Sequence, residues 1–212
     1  MARKPASVAP LPAPTQRSSW QAAPVLLAAA VAAFLGLSFI RSASPTYDEP
    51  LHLASGWSYL ATGRYRLNIT DHPPLAEMWA ALPLAALKPS AMTGHPDFQN
   101  LRRYAFADHF LYRNSVDPRR MLDLARAFTL LSVGGALLVL LAAWAWRLDG
   151  SAAAAGAAWA AALSPVLVSN LALVTTDGLS AVLFFASFYF LARPERPARV
   201  WAAAGLCAGL AL

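Results

Sequence analysis

Charged side chains are scarce in this sequence. Asp, Glu, Lys and Arg make up 13% of its 212 residues, where an average soluble domain has roughly 25%. Hydrophobic residues reach 58% and the mean hydropathy is +0.44, a composition that excludes an ordinary soluble globule and points to a membrane protein. Lysine is nearly missing, so arginine carries the net charge of +6. The arginines lie between apolar runs rather than in one patch, which argues against a nucleic-acid partner. The lone cysteine, Cys207, sits inside an apolar run and excludes both an intrachain disulfide framework and a cysteine metal site. A glycine-rich phosphate loop, a Ser-His-Asp order and internal repeats are also missing.

What the sequence has is long apolar runs. Residues 1–20, rich in Pro, Ala and Ser with Arg3, Lys4 and Arg17, are expected to form a disordered cytoplasmic tail. Spans are expected at about 24–40, 127–146, 152–174 and 179–192, and a fifth begins at 200–212. A signal peptide would resemble the first run, but a long tail precedes it and further spans follow. The last run falls short of the roughly 20 residues a bilayer requires, so residues 21–212 read as the front part of a longer transmembrane domain.

Short-loop charges set the orientation. Arg3, Lys4 and Arg17, then Arg147, then Arg193, Arg196 and Arg199 mark the cytoplasmic side, whereas the turn at Thr175-Thr176-Asp177-Gly178 has no Lys or Arg. The N-terminus is thus expected inside and the long loop at about 41–126 outside. Within that loop, Glu49–Thr62, Leu75–Leu87 and Tyr104–Tyr112 have the lengths and apolar or aromatic character of short helices resting on the membrane. The expected fold is all-α: a polytopic transmembrane helix bundle with short interfacial helices in its first extracytoplasmic loop.

Three polar stretches could carry chemistry. In Thr46-Tyr47-Asp48-Glu49-Pro50-Leu51-His52, Asp48 is placed to cap a helix with Pro50 in its first turn. The same two acids could supply a general base or hold a divalent cation. In Asp71-His72-Pro73-Pro74-Leu75, the prolines stiffen the backbone and present Asp71 and His72. In Thr175-Thr176-Asp177, Asp177 either caps the next helix or faces the same outer side as the other two. Asn68-Ile69-Thr70 matches a glycosylation sequon, a pattern common by chance, and His95 and His109 read as surface loop residues.

In order, "YDEPLHLASGWSYLATGRY", "DHPPLAEMWAALPL", "DPRRMLDLARAFTLLSVGGALLV" and "RLDGSAAAAGAAWAAALSPVLVSNLALVTTDGLSAVLFF" resemble the membrane glycosyltransferases that use polyprenyl-phosphate sugars. These are the superfamily of protein O-mannosyltransferases and the aminoarabinose transferase of lipid A, with the GT-C fold. The resemblance implies inverting transfer of a sugar from a polyprenyl-phosphate donor to the hydroxyl of a protein, lipid or glycan acceptor. It implies a multi-pass protein of the bacterial inner membrane, surrounded by lipid. On that analogy Asp48 is the general base and Glu49 its support. Asp71 and His72 belong to a donor-phosphate or metal region that admits a divalent cation, and Asp177 lines the same cavity. Arg64 and Arg66, with Arg102 and Arg103, are the outer-face cations available to a leaving phosphate. Glu77 stands where O-mannosyltransferases tend to carry Lys, and Asp71-His72 where the lipid A relatives tend to carry Glu-Lys, so the sugar does not follow from the resemblance. A transporter or channel subunit with acids on an ion path is the alternative from another class, and a non-catalytic anchor is a third.

Overall fold

The computed structural model describes residues 22–69, 71–193 and 197–212; the tail expected at 1–20 and Arg196 lie outside them. The described residues are helical throughout, at 76% helix with no strand. In chain order the helices are α1 (Ala22–Ser42), α2 (Glu49–Thr62), α3 (Pro74–Ala81), α4 (Pro96–Gln99), α5 (Arg103–Tyr112), α6 (Pro118–Thr129), α7 (Gly135–Ala162), α8 (Pro165–Leu171), α9 (Asp177–Leu191) and α10 (Ala198–Ala211). A 3-10 turn (Leu82–Ala86) extends α3, and a π-helical turn (Leu130–Gly134) joins α6 to α7.

Two helices are long and apolar enough to cross a membrane: α1, and the 45-residue run Pro118–Ala162. The second is not straight. Asp149 and Gly150 leave the helical region, Gly150 at φ 74°. Leu138 and Ala158, about 30 Å apart in a continuous helix, pack together with Ala28 of α1 in one apolar cluster. The chain therefore reverses at Asp149-Gly150, where glycine tolerates the left-handed φ. This is the boundary the sequence places between its second and third apolar runs.

The third run, expected to be continuous over 152–174, is broken. α7 ends at Ala162 and the short α8 starts at Pro165, where the Ser164 hydroxyl accepts from Leu167 N at 3.4 Å. Proline has no N–H to continue the ladder and suits a first helical turn. α9 has 15 residues and α10 has 14, a rise of about 21–23 Å each, short of the hydrocarbon thickness of about 30 Å.

The segment at 41–126, expected outside, also differs from its expectation. α2 begins and ends where the sequence puts it, with Gly63 closing it at φ 67°. Rather than only resting on a membrane, however, α2 to α6 build their own core. Leu53, Leu84, Phe106, Phe110, Leu111 and Met121 are fully buried in it. The aromatic residues of Tyr104–Tyr112 that look interface-seeking in isolation divide by helical face: Phe106 and Phe110, one turn apart, point into this core.

α2 and α3 approach very closely at Gly56, where a Cβ would lie 2.0 Å from the carbonyl oxygen of Glu77 and 2.4 Å from its carbon. Gly56→Ala must push the two backbones apart, so a loss of at least about 1–3 kcal/mol is expected. Thermal unfolding measures this, and an unchanged melting temperature would contradict the α2–α3 contact.

Candidate functional site

Glu49 is fully enclosed at the start of α2. Its carboxylate accepts from Arg126 Nε at 2.8 Å and Arg126 Nη2 at 2.5 Å. It also accepts from the backbone of Thr46 and of Val174, each at 2.9 Å, and from the Thr46 hydroxyl at 3.1 Å. Arg126, equally enclosed, donates further to Ala43 O and Ser44 O. One ion pair thus ties together the exit of α1, the start of α2, the end of α6 and the segment before α9. Burial alone would raise the Glu49 pKa; the Arg126 hydrogen bonds, the two backbone N–H groups and the guanidinium charge outweigh it and hold the carboxyl below its ordinary range. With both oxygens engaged, Glu49 is a positioning residue.

Asp48, its neighbour, is exposed. It stands before α2 with φ −92° and ψ −18° and makes no side-chain cap bond, so the capping role open to it in the sequence is not the one it takes. Its Oδ1 is 3.5 Å from the Tyr104 hydroxyl, and Tyr104 stacks near Tyr47, with ring centroids 5.0 Å apart. Burial first and then the Asp48 charge raise the Tyr104 pKa, which keeps the phenol protonated and able to donate. Arg103, one residue earlier on α5, lies over the Tyr104 ring at 5.3 Å.

Arg103 links this corner to the second stretch. It pairs with Asp71 and donates to Asn68 Oδ1 at 3.1 Å. Asn68 Nδ2 donates to Glu77 Oε1 at 2.7 Å, and His52 Nδ1 stands 2.9 Å from the same oxygen. Glu77 is buried, and its Oε2 has no hydrogen-bond partner among the described residues. With Asn68 enclosed and its amide engaged, the Asn68 sequon is closed to glycosylation in this fold. The Tyr59 hydroxyl accepts from Asn68 N at 2.9 Å; burial, followed by the Glu77 charge, pushes that phenol well above its ordinary range.

His72 completes the connection. Its Nδ1 is 3.3 Å from the Thr176 hydroxyl, and its ring meets His52 edge-on with centroids 5.1 Å apart. Asp177 follows Thr176 as the exposed first residue of α9. The three polar stretches are therefore linked: Asp48 touches α5 through Tyr104, Asp71 pairs with Arg103 of the same helix, and His72 reaches Thr176, the residue before Asp177.

The arginines named from sequence divide. Arg66 donates to Gln99 O at 2.9 Å and lies over Phe98; with Arg64 it borders a cavity of about 300 Å³ beside Thr93. Of the four outer-face arginines named from the sequence, Arg103 is the one that pairs with Asp71, and Arg102 pairs with Asp97. Asp71 and His72 join no three-ligand group among the described residues; the group with that composition is His95, Asp97 and His109. The sequence reading of both histidines as simple surface residues misses this cluster, whose signal was the short His95-Pro96-Asp97 spacing. It also misses the Glu49–Arg126 pair, for which an arginine on the threshold of an apolar run was the available sign. Compared with protein-family models, with curated proteins and with solved structures, the chain matches none.

Proposed function

We propose that this protein is a membrane glycosyltransferase that moves a sugar from a polyprenyl-phosphate donor to an acceptor hydroxyl on the extracytoplasmic face. The observation that carries this reading is that Asp48 and Asp71 both meet α5, through Tyr104 and Arg103, and that His72 reaches Thr176 beside Asp177, with Asp48 exposed and free of capping. In this reading the protein is a polytopic GT-C-like bundle of the bacterial inner membrane, with its N-terminus cytoplasmic and residues 41–126 outside.

The chemistry requires three things of the chain. A sugar or side-chain hydroxyl is a weak nucleophile near neutral pH, so a positioned carboxylate takes its proton. Asp48 serves as that base, and Tyr104 and the Glu49–Arg126 anchor fix its position. The acceptor oxygen then bonds to the anomeric carbon with inversion, while the carbon–oxygen bond to phosphate breaks and polyprenyl phosphate leaves with the electron pair. Arg103 supplies positive charge for that phosphate, beside Asp71 and His72. The apolar cavity of about 160 Å³ between α1, the π-helical turn and α8 has room for about one isoprene unit of the donor's lipid tail, since a cavity of about 150 Å³ takes one benzene. That cavity is bordered by Leu130, one helical turn beyond Arg126, and by Leu171, three residues before Val174.

A donor screen tests the reading. The full chain in its own membrane is incubated with radiolabelled polyprenyl-phosphate sugars, one at a time, and label is followed into lipid, glycan and protein fractions. At least one donor is expected to lose its sugar faster than with membranes lacking the protein. Equal, background loss for all donors would overturn the proposal.

A further inference from the structure

His95, Asp97 and His109 form a second polar cluster, built from α4 and α5. Each offers one ligand atom, and the three atoms lie within 4.8 Å of one another. Asp97 Oδ2 is 3.7 Å from His95 Nδ1 and 3.6 Å from His109 Nδ1. Ligands bound tetrahedrally at about 2.0–2.2 Å stand about 3.3–3.5 Å apart, so the two Asp97–imidazole distances need to close by a few tenths of an ångström, and the imidazole pair, within 4.8 Å, closes by rotation of the partly exposed rings. Asp97 is buried, and its other oxygen, Oδ1, is held by Arg102 Nε at 3.1 Å. That contact turns Oδ2 toward the two imidazoles, as an outer-shell partner does for a metal-ligating carboxylate. The imidazole rings themselves lie close, with centroids 4.3 Å apart. Both nitrogens have other neighbours: His95 Nδ1 accepts from Asp97 N at 3.2 Å, and His109 Nδ1 is 3.0 Å from Ala105 O.

We propose that His95, Asp97 and His109 bind a borderline divalent transition metal ion, of the zinc, cobalt or nickel class. Two imidazoles and one carboxylate select such ions over calcium or magnesium, which prefer oxygen donors. On binding, His109 gives up the Nδ1 proton it shares with Ala105 O and takes the tautomer protonated on Nε2, by exchange with solvent, while His95 Nδ1 releases Asp97 N; solvent fills the remaining coordination position. The ion staples the start of α4 to the middle of α5 and so steadies the helix that carries Arg103 and Tyr104. The site does not depend on the glycosyltransferase reading.

The test uses the full chain, purified through a tag without histidine, stripped with chelator and placed in lipid nanodiscs. Zn²⁺ is titrated against a chromophoric competitor, and Co²⁺ is followed by its visible absorption. One ion per chain is expected, with the intense cobalt band of a four-coordinate site. His95→Gln and His109→Gln, both partly exposed changes, should each weaken binding by about 100-fold or more, whereas His72→Gln should leave it unchanged. Absence of metal binding by the wild type, equal binding by the His95→Gln, His109→Gln double variant, or loss of binding in His72→Gln would each overturn the assignment.

Discussion

Replacing Arg126 by methionine is expected to destabilise the protein by about 3–5 kcal/mol, because it strands the Glu49 carboxylate in an enclosed site without its cation. Few single changes in the chain should cost more, since Arg126 joins four segments that are far apart in sequence. The companion change Glu49→Gln, Arg126→Met removes both charges and should regain much of that loss. Acidity distinguishes the pair from simple packing. The Glu49 pKa is depressed in the fold, so its stabilisation is present above the unfolded glutamate value of about 4.3 and is lost as pH falls through the folded one. In the Arg126→Met protein an unpaired buried Glu49 gains by taking up a proton, so the gap to wild type should narrow on acidification. Denaturant unfolding in detergent at neutral and acid pH measures both, and a gap independent of pH would contradict an ionised pair.

Asp48→Asn is expected to lower sugar transfer by about 10²–10⁴-fold, the range that a positioned general base contributes. The effect should fall on turnover rather than on folding, since Asp48 is exposed and closes no helix cap. The amide keeps the shape and can still meet the Tyr104 hydroxyl, but it cannot accept the acceptor's proton. Thermal unfolding of the variant should match the wild type within the experimental spread. The two predictions separate two adjacent acids: loss of Arg126 is expected to act on the fold through Glu49, and loss of the Asp48 carboxylate on the proposed transfer.

Local chemistry made part of this legible in the sequence. Pro50 and Gly63 bracket α2, and Asp149-Gly150 marks the chain reversal, because proline and glycine act on their own backbone and require no distant partner. The break at Ser164-Pro165 was equally local, yet an apolar window of residues 152–174 hides it, since hydropathy counts side chains and not missing N–H donors. Distant pairings were not legible. Glu49 and Arg126 are 77 residues apart, and each alone reads as a membrane-edge charge. The position of Arg103 between Asp71 and Asn68, rather than Arg64 or Arg66, depends on how α5 packs against α2. His95 and His109 meet only because the chain turns between α4 and α5, which no single helical period reveals.

The most direct measurement of the central claim is sugar transfer and polyprenyl-phosphate release, followed together in proteoliposomes of the full chain, for wild type and Asp48→Asn at equal protein content. The wild type should release one polyprenyl phosphate for each sugar transferred, and the variant should do neither above a small residue. Equal release and transfer by the two proteins, or release by neither above empty liposomes, would contradict it.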